Sequence, residues 1–427
     1  MIKGTETLTD HITLVADAAH AETTACFDQD HRDTQQRIYC PICRSDKVSE
    51  FIAIDRLPVH CSALLPTADE ARAAATGRIS LAYCHRCGFV HNQQFEAEKV
   101  VFEPGYEASL AHSSTFRSYV QDLVNRLVDR YDLHDKCVLE IGCGDGFFLR
   151  QLCERGGNTG IGVDPTIKLE RCETAGKGSV RFISDYFSDR YQHLISAFVC
   201  SMSVFETVPN PRAFLTELSD MIAKRDGVIV YFEVPNADYM FNNKATWSIY
   251  YEQFGHFTQN TLTSLFSSCG YEVLDSGSCY EDGQYVYVEA KLRASTTSKV
   301  DPFGDDWHEL PVELRTFAEA QRDNFGFWRG KLEQLNDAGK KITTWGSGGK
   351  GNSFLNLLNT DGLVRYVVDI NPERQGKFIP GSAQMIVGPS FLAEYRPDVI
   401  IITNPIYEQE IRQQVSALGV SCEFMTV

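Results

Sequence analysis

The sequence predicts an α/β protein of three parts: a small Cys₄ zinc-binding domain, an open Rossmann-like core, and a second Rossmann-like α/β domain at the C-terminus. Three observations predict it. Two C-x-x-C pairs stand near the N-terminus. From about Arg117, short apolar runs alternate with helical patterns. Glycine-rich turns then close apolar runs twice, at Gly142–Gly146 and at Gly346–Gly351. A chain of 427 residues is long enough for two or three separate cores.

Composition narrows the classes. With 43% hydrophobic and 23% charged residues the chain reads as an ordinary soluble protein, and no stretch approaches the about 18 uninterrupted apolar residues of a membrane span. A formal net charge of −17 argues against nucleic acid as the main partner, because that binding needs clustered Lys and Arg. Residues 1–37 are polar and acidic, lack an apolar signal core, and read as an N-terminal extension. A cytoplasmic protein is expected.

The metal-ligand pattern comes first along the chain. Cys40-Pro-Ile-Cys43 and Cys84-His-Arg-Cys87 each aim two thiolates at one tetrahedral ion. Together they complete a structural zinc site with no position open to water, expected within residues 38–116. The rival is a redox pair, which needs a C-x-x-C that opens a helix after a strand; neither does so evidently. The other cysteines are scattered and read as buried or inert thiols, and His60 and His85 read as structural.

The core follows, over residues 117–295. KCVLEIGCGDGFFLRQL gives a strand over Cys137–Ile141, a turn with Gly142, Gly144 and Gly146, then a helix. The next strand ends at Asp164, a third precedes Asp185 and Tyr186, a fourth carries Ser201, and a fifth ends near Asn236. E-x-G-x-G-x-G with an acid ending the next strand suits S-adenosylmethionine better than NAD. The glycines admit the backbone close to the ligand, the acid accepts from both ribose hydroxyls, and no pyrophosphate has to be cradled. The core is therefore expected to be a class I (Rossmann-like) methyltransferase. Glu140, Cys143, the three glycines, Asp164 and Ser201 are its cofactor-binding candidates, with Asp185 and Tyr186 flanking the adenine.

In order and spacing, the two knuckles, VLEIGCGDG and the C-terminal GSGGKGN…VVDINPERQGKFIPG segment resemble the three-domain sugar C-methyltransferases, from about Ile38 to the C-terminus. The resemblance implies methyl transfer to a ring carbon of a nucleotide-linked 4-ketosugar and a C-terminal lobe that helps to enclose it. Acceptor-binding candidates are Tyr106 and His112 from the first domain, Asn236 from the core, and Gly348, Lys350 and Asn352 from the last.

Residues 296–340 read as a linker with an amphipathic helix carrying Phe325, Trp328, Leu332 and Leu335 on one stripe. In 341–427 a strand, Gly346-x-Gly348-x-x-Gly351, a helix, a strand ending at Asp369 and a later strand at 398–403 follow. This spells a dinucleotide fingerprint, yet it amounts to one mononucleotide-sized half. The helix N-terminus and Lys350 would suit an acceptor phosphate; otherwise the glycines serve only packing.

The catalytic stretch is IYYEQFGHFTQNTL, 249–262. Tyr250 and Glu252 match the family's tyrosine and glutamate, whereas the position of its basic histidine holds Gln253. The expectation is that His256 takes over as base, oriented by Glu252, with Tyr250 donating to the substrate oxygen. Alternatives are O- or N-methylation of another small molecule, an NAD-linked oxidoreductase, or an inactive zinc-stabilised adaptor.

Overall fold

The computed structural model describes residues 39–293, 302–303 and 308–427, with a two-residue strand at Ile12–Thr13. The rest of the expected N-terminal extension, Cys26, and the linker residues 294–301 and 304–307 lie outside the described residues.

Three sheets organise these residues. The first is antiparallel, in the order Ile12–Thr13, Val48–Pro58, Thr76–Cys84, Val90–Asn92 and Gly255–His256. Its last strand comes from the catalytic stretch: Gly255 pairs with His91 and His256 with Val90. That stretch therefore lies outside the core sheet and closes the edge of the first one.

The second sheet has eight strands, ordered Tyr271–Cys279, Tyr285–Leu292, Ile229–Pro235, Phe198–Met202, Cys137–Ile141, Thr159–Val163, Gly178–Ile183 and Arg171–Ala175. The middle five are parallel, and the first two and the last run antiparallel to their neighbours. The parallel strands are covered on both faces, so they read as apolar runs such as Phe198–Cys200. Helix Ser114–Tyr131 starts where the Ser113 hydroxyl accepts from the Phe116 N–H, and it stops at Asp132 in the left-handed region.

The third sheet is parallel throughout: Met385–Val387, Tyr366–Val368, Ile342–Trp345, Val399–Ile402 and Glu423–Thr426. The sequence reading had three strands here, and the structure has five. Met385–Val387 is only three residues long and Glu423–Thr426 is part-exposed, so neither leaves a clear apolar signal.

Helix Val312–Asp337 shares one core with the first and third sheets and with residues 237–251, which follow the core strand Ile229–Pro235. It runs unbroken through Gly326 and Gly330, whose missing side chains face open space. Phe317 packs edge-on to Phe241, Phe325 stacks on Trp247, and Trp328 meets Phe354 of the C-terminal part. Among the described residues, no helix is long and apolar enough to cross a membrane.

Candidate active site

A cavity of about 1060 Å³ opens where the carboxyl ends of the core strands face the other two sheets. Single-ligand sites usually hold ~300–1,000 Å³, so this volume suits two ligands side by side. On the core side lie Glu140, Gly142, Cys143, Gly144 and Asp164. Gly142 has φ +73°, and a Cβ there would lie 2.4 Å from a Val204 methyl, so only glycine fits. Asp164 is drawn onto the turn: Oδ2 accepts from the Gly144 N–H at 2.7 Å, and Oδ1 accepts from the Thr166 N–H and hydroxyl. One acceptor position remains on Oδ2, where the sequence reading asks for two ribose hydroxyls. A second hydroxyl bonds there only as Thr166 turns away. Glu140 keeps one buried oxygen without a partner, and burial pushes its carboxyl up.

Three of the expected cofactor residues lie off the wall, among them Gly146, which packs against the Phe182 ring. Ser201 is fully buried and donates to the Ile141 carbonyl at 3.0 Å, tying two core strands together. Asp185 is held by the Tyr191 hydroxyl and the Arg190 guanidinium. Tyr186 does line the cavity, half-exposed, with its hydroxyl bonded to the backbone of Phe102.

The catalytic stretch shows the largest differences from expectation. Glu252 is buried and does not orient His256. Its Oε1 accepts from the Tyr106 hydroxyl at 2.8 Å and from the Cys61 thiol. Its Oε2 accepts from the Cys61 N–H at 3.3 Å and meets His60 Nδ1 at 3.2 Å. All four lone-pair positions are taken. His256 pairs instead with Gln253, Nδ1 to the amide nitrogen at 3.2 Å, and its Nε2 has no partner. Burial pushes that imidazole down to about 3, far below any working pH, so His256 stays neutral and makes a poor base. Its place in the two-residue strand accounts for this burial. Tyr250 and Tyr106 are phenols that burial holds protonated.

The opposite wall belongs to the C-terminal part. The Tyr250 ring lies over Gly349, where a Cβ would come within 2.9 Å of it. Helix Gly349–Leu357 points its N-terminus toward this wall, with Gly348 and Lys350 lining it. Lys350 Nζ donates to Gln284 at 2.8 Å and Asn404 at 3.1 Å, and burial pushes its ammonium down to about 7. Asn352 sits behind the wall, fully buried, bonded to Asn356. Asn236 lines the cavity, but its side chain caps a helix and bonds the Gly283 carbonyl. His112 lines it too, as does Tyr106. Asp369, the acid of the apparent fingerprint, accepts from the N–H and hydroxyl of Ser347 in the glycine turn and from the Asn371 N–H of its own loop.

Sequence reasoning missed three groups. Arg374 is 4% exposed yet on the wall, bonded to Ser347 and the Glu107 carbonyl. His60 and Cys61 meet Glu252 from 192 and 191 residues away. Glu206 is a buried carboxyl on the same wall as Gly142 and Gly144.

Apart from the cavity, the Sγ atoms of Cys40, Cys43, Cys84 and Cys87 lie within 4.8 Å of one another, all buried. Tetrahedral Zn–S bonds of ~2.3 Å place sulfurs about 3.8 Å apart. The set fits such an ion.

Comparison with known proteins agrees with this architecture. Residues 113–276 match a family described as a methyltransferase domain, and residues 312–424 match one described as the C-methyltransferase C-terminal domain. The C-methyltransferase NovU of Streptomyces niveus is 25% identical over 390 residues, covering 87% of this chain and 90% of that protein. Solved structures that resemble the chain include an S-adenosylmethionine-dependent methyltransferase from Archaeoglobus fulgidus (20% identity, TM-score 0.31, 41% of this chain and 93% of that one). Another is a putative one from Listeria monocytogenes (13% identity, TM-score 0.33, 42% and 100%). With both matched regions in the order the sequence predicts, and a relative spanning nearly the whole chain, the protein is an S-adenosylmethionine-dependent methyltransferase that resembles the C-methyltransferases.

Proposed function

We propose that the enzyme methylates a carbon next to the carbonyl of a nucleotide-linked ketosugar. The observation that carries this is the two-sided cavity: the glycine turn and Asp164 on one wall, Lys350, Arg374 and a helix N-terminus on the other. The first wall suits S-adenosylmethionine. The second gathers positive charge and backbone donors, the chemistry that holds a diphosphate. When bound, the cofactor supplies an electrophilic methyl group; the chain's own part is to hold the acceptor carbon in line with it and exclude water.

In this reading the first domain binds a structural zinc through its four thiolates and presents Tyr106 to the acceptor. Residues 117–295 bind the cofactor, and 341–427 bind the nucleotide diphosphate. The thirteen described cysteines are all free, which suits a reducing compartment such as the cytoplasm. Gln253 supports a second reading, O- or N-methylation, in which no carbon-bound proton is removed.

The test is incubation with methyl-labelled S-adenosylmethionine and a panel of nucleoside-diphosphate 4-ketosugars, alongside hydroxyl and amine acceptors. Mass and NMR analysis should find the label on carbon. Label found only on oxygen or nitrogen would refute the proposal.

A further inference from the structure

Carbon methylation releases a proton, and the catalytic stretch offers no group suited to take it. Gln253 is an amide, His256 is neutral and weakly basic, Glu252 is saturated with donors, and the phenols hold their protons. Two other carboxyls on the wall have buried oxygens without partners. Glu140 lies under the cofactor turn. Glu233 has its second oxygen occupied by the Tyr119 and Tyr231 hydroxyls.

Glu206 differs from both. It lies in a single 3₁₀ turn, Phe205–Thr207, after the core strand that ends at Met202. Val204, two residues earlier, covers Gly142 of the cofactor turn. The side chain is 6% exposed, lines the cavity, and leaves Oε2 without any hydrogen-bond partner. Such a buried, unsatisfied oxygen is costly unless something fills it. We propose that Glu206 is the catalytic base that takes the proton from the acceptor carbon, a role that rests on the carbon-methylation reading above.

The step balances. Glu206 Oε2 takes the proton, and the C–H electron pair becomes the new carbon–methyl bond. The carbon–sulfur pair stays on the thioether sulfur of S-adenosylhomocysteine, and the proton later leaves the carboxyl for solvent. The surroundings tune the group. Burial pushes its carboxyl up to about 8, its own backbone N–H opposes this, and Glu252 and Glu233 add to the rise. The neutral His256 and the protonated Tyr250 and Tyr285 also face this region. A base near working pH is what proton abstraction needs.

Two measurements test this on the full-length zinc-loaded enzyme with Glu206→Gln, whose unchanged affinity for S-adenosylhomocysteine verifies the fold. The first is deuterium wash-in from D₂O at the carbon beside the carbonyl of a nucleoside-diphosphate 4-ketosugar, with S-adenosylhomocysteine bound so that no methyl moves. Wild-type wash-in that rises through about pH 8, and falls ~10²–10⁴-fold in Glu206→Gln, supports the proposal. Equal wash-in by both proteins overturns it. The second needs no acceptor: an infrared carboxyl band that titrates near pH 8 in the wild type and is missing in Glu206→Gln supports the role. No band titrating above pH 6 overturns it. If no ketosugar exchanges even with the wild type, the acceptor reading falls, and the infrared result still decides whether Glu206 can serve as base.

Discussion

Lys350 offers the sharpest quantitative prediction, because its charge depends on what binds beside it. Its Nζ donates to two neutral amide oxygens and faces the Tyr239 ring. Among the described residues no carboxylate pairs with it. With burial holding it at about 7, about half of the free molecules carry the charge at pH 7, and about one in ten at pH 8. A diphosphate seated against the ammonium keeps it protonated. Binding should then take up about 0.5 proton at pH 7 and about 0.9 at pH 8. The sign follows from a pKa raised on binding: affinity is full below pH 7 and falls about tenfold, or about 1.4 kcal/mol, per unit above it. Isothermal titration of uridine or thymidine diphosphate in buffers of different ionisation enthalpy measures the uptake directly. Lys350→Met should abolish the uptake and leave S-adenosylhomocysteine affinity unchanged. Zero proton uptake by the wild type at pH 8 would refute the placement of the diphosphate.

Three further outcomes are expected. Asp164→Asn should weaken S-adenosylhomocysteine binding by ~1.5–3 kcal/mol through loss of a charge-assisted bond, read by calorimetry; unchanged affinity would place the ribose elsewhere. Cys84→Ser should lose about one zinc per chain by elemental analysis and lower the melting temperature, and a metal-free wild type with full stability would contradict the site. His256 is near 3 folded against about 6.5 unfolded, so the unfolded chain binds the extra proton and stability falls by about 1.4 kcal/mol per unit between about pH 6.5 and 3. His256→Phe should remove that term and shift the acid-unfolding midpoint, followed by circular dichroism, to lower pH.

How much of this was legible in the sequence depended on range. The glycine turn with Asp164 and the paired cysteine knuckles are local patterns whose geometry is set by a few neighbouring residues, and both stand where the spacing put them. Glu252 stands on the cavity wall, but its partners were not legible. His60, Cys61 and Tyr106 reach it across 192, 191 and 146 residues, and no periodicity encodes such meetings. His256 was misread for a related reason. An imidazole near a catalytic motif looks available until the chain is seen to carry it into the edge of another sheet. The GSGGKG turn showed the opposite trap: the spacing is right for a dinucleotide, but the acid that should meet a ribose is taken up by Ser347 of that turn and by the Asn371 N–H.

The strand Gly255–His256 also bears on how the protein comes into being. Val90–Asn92 leaves the ribosome long before residue 255, so during synthesis the first sheet has an open edge. Unpaired edges invite contact with other nascent chains. Thiolate capture of a metal ion could stiffen that half-built sheet while it waits, because all four cysteines are made by residue 87. Any fragment ending before residue 255 would carry the knuckles and still lack its closing strand. Pieces cut at the apparent domain borders should therefore be less soluble than the whole, and chimaeras between relatives should exchange residues 250–257 together with the first domain.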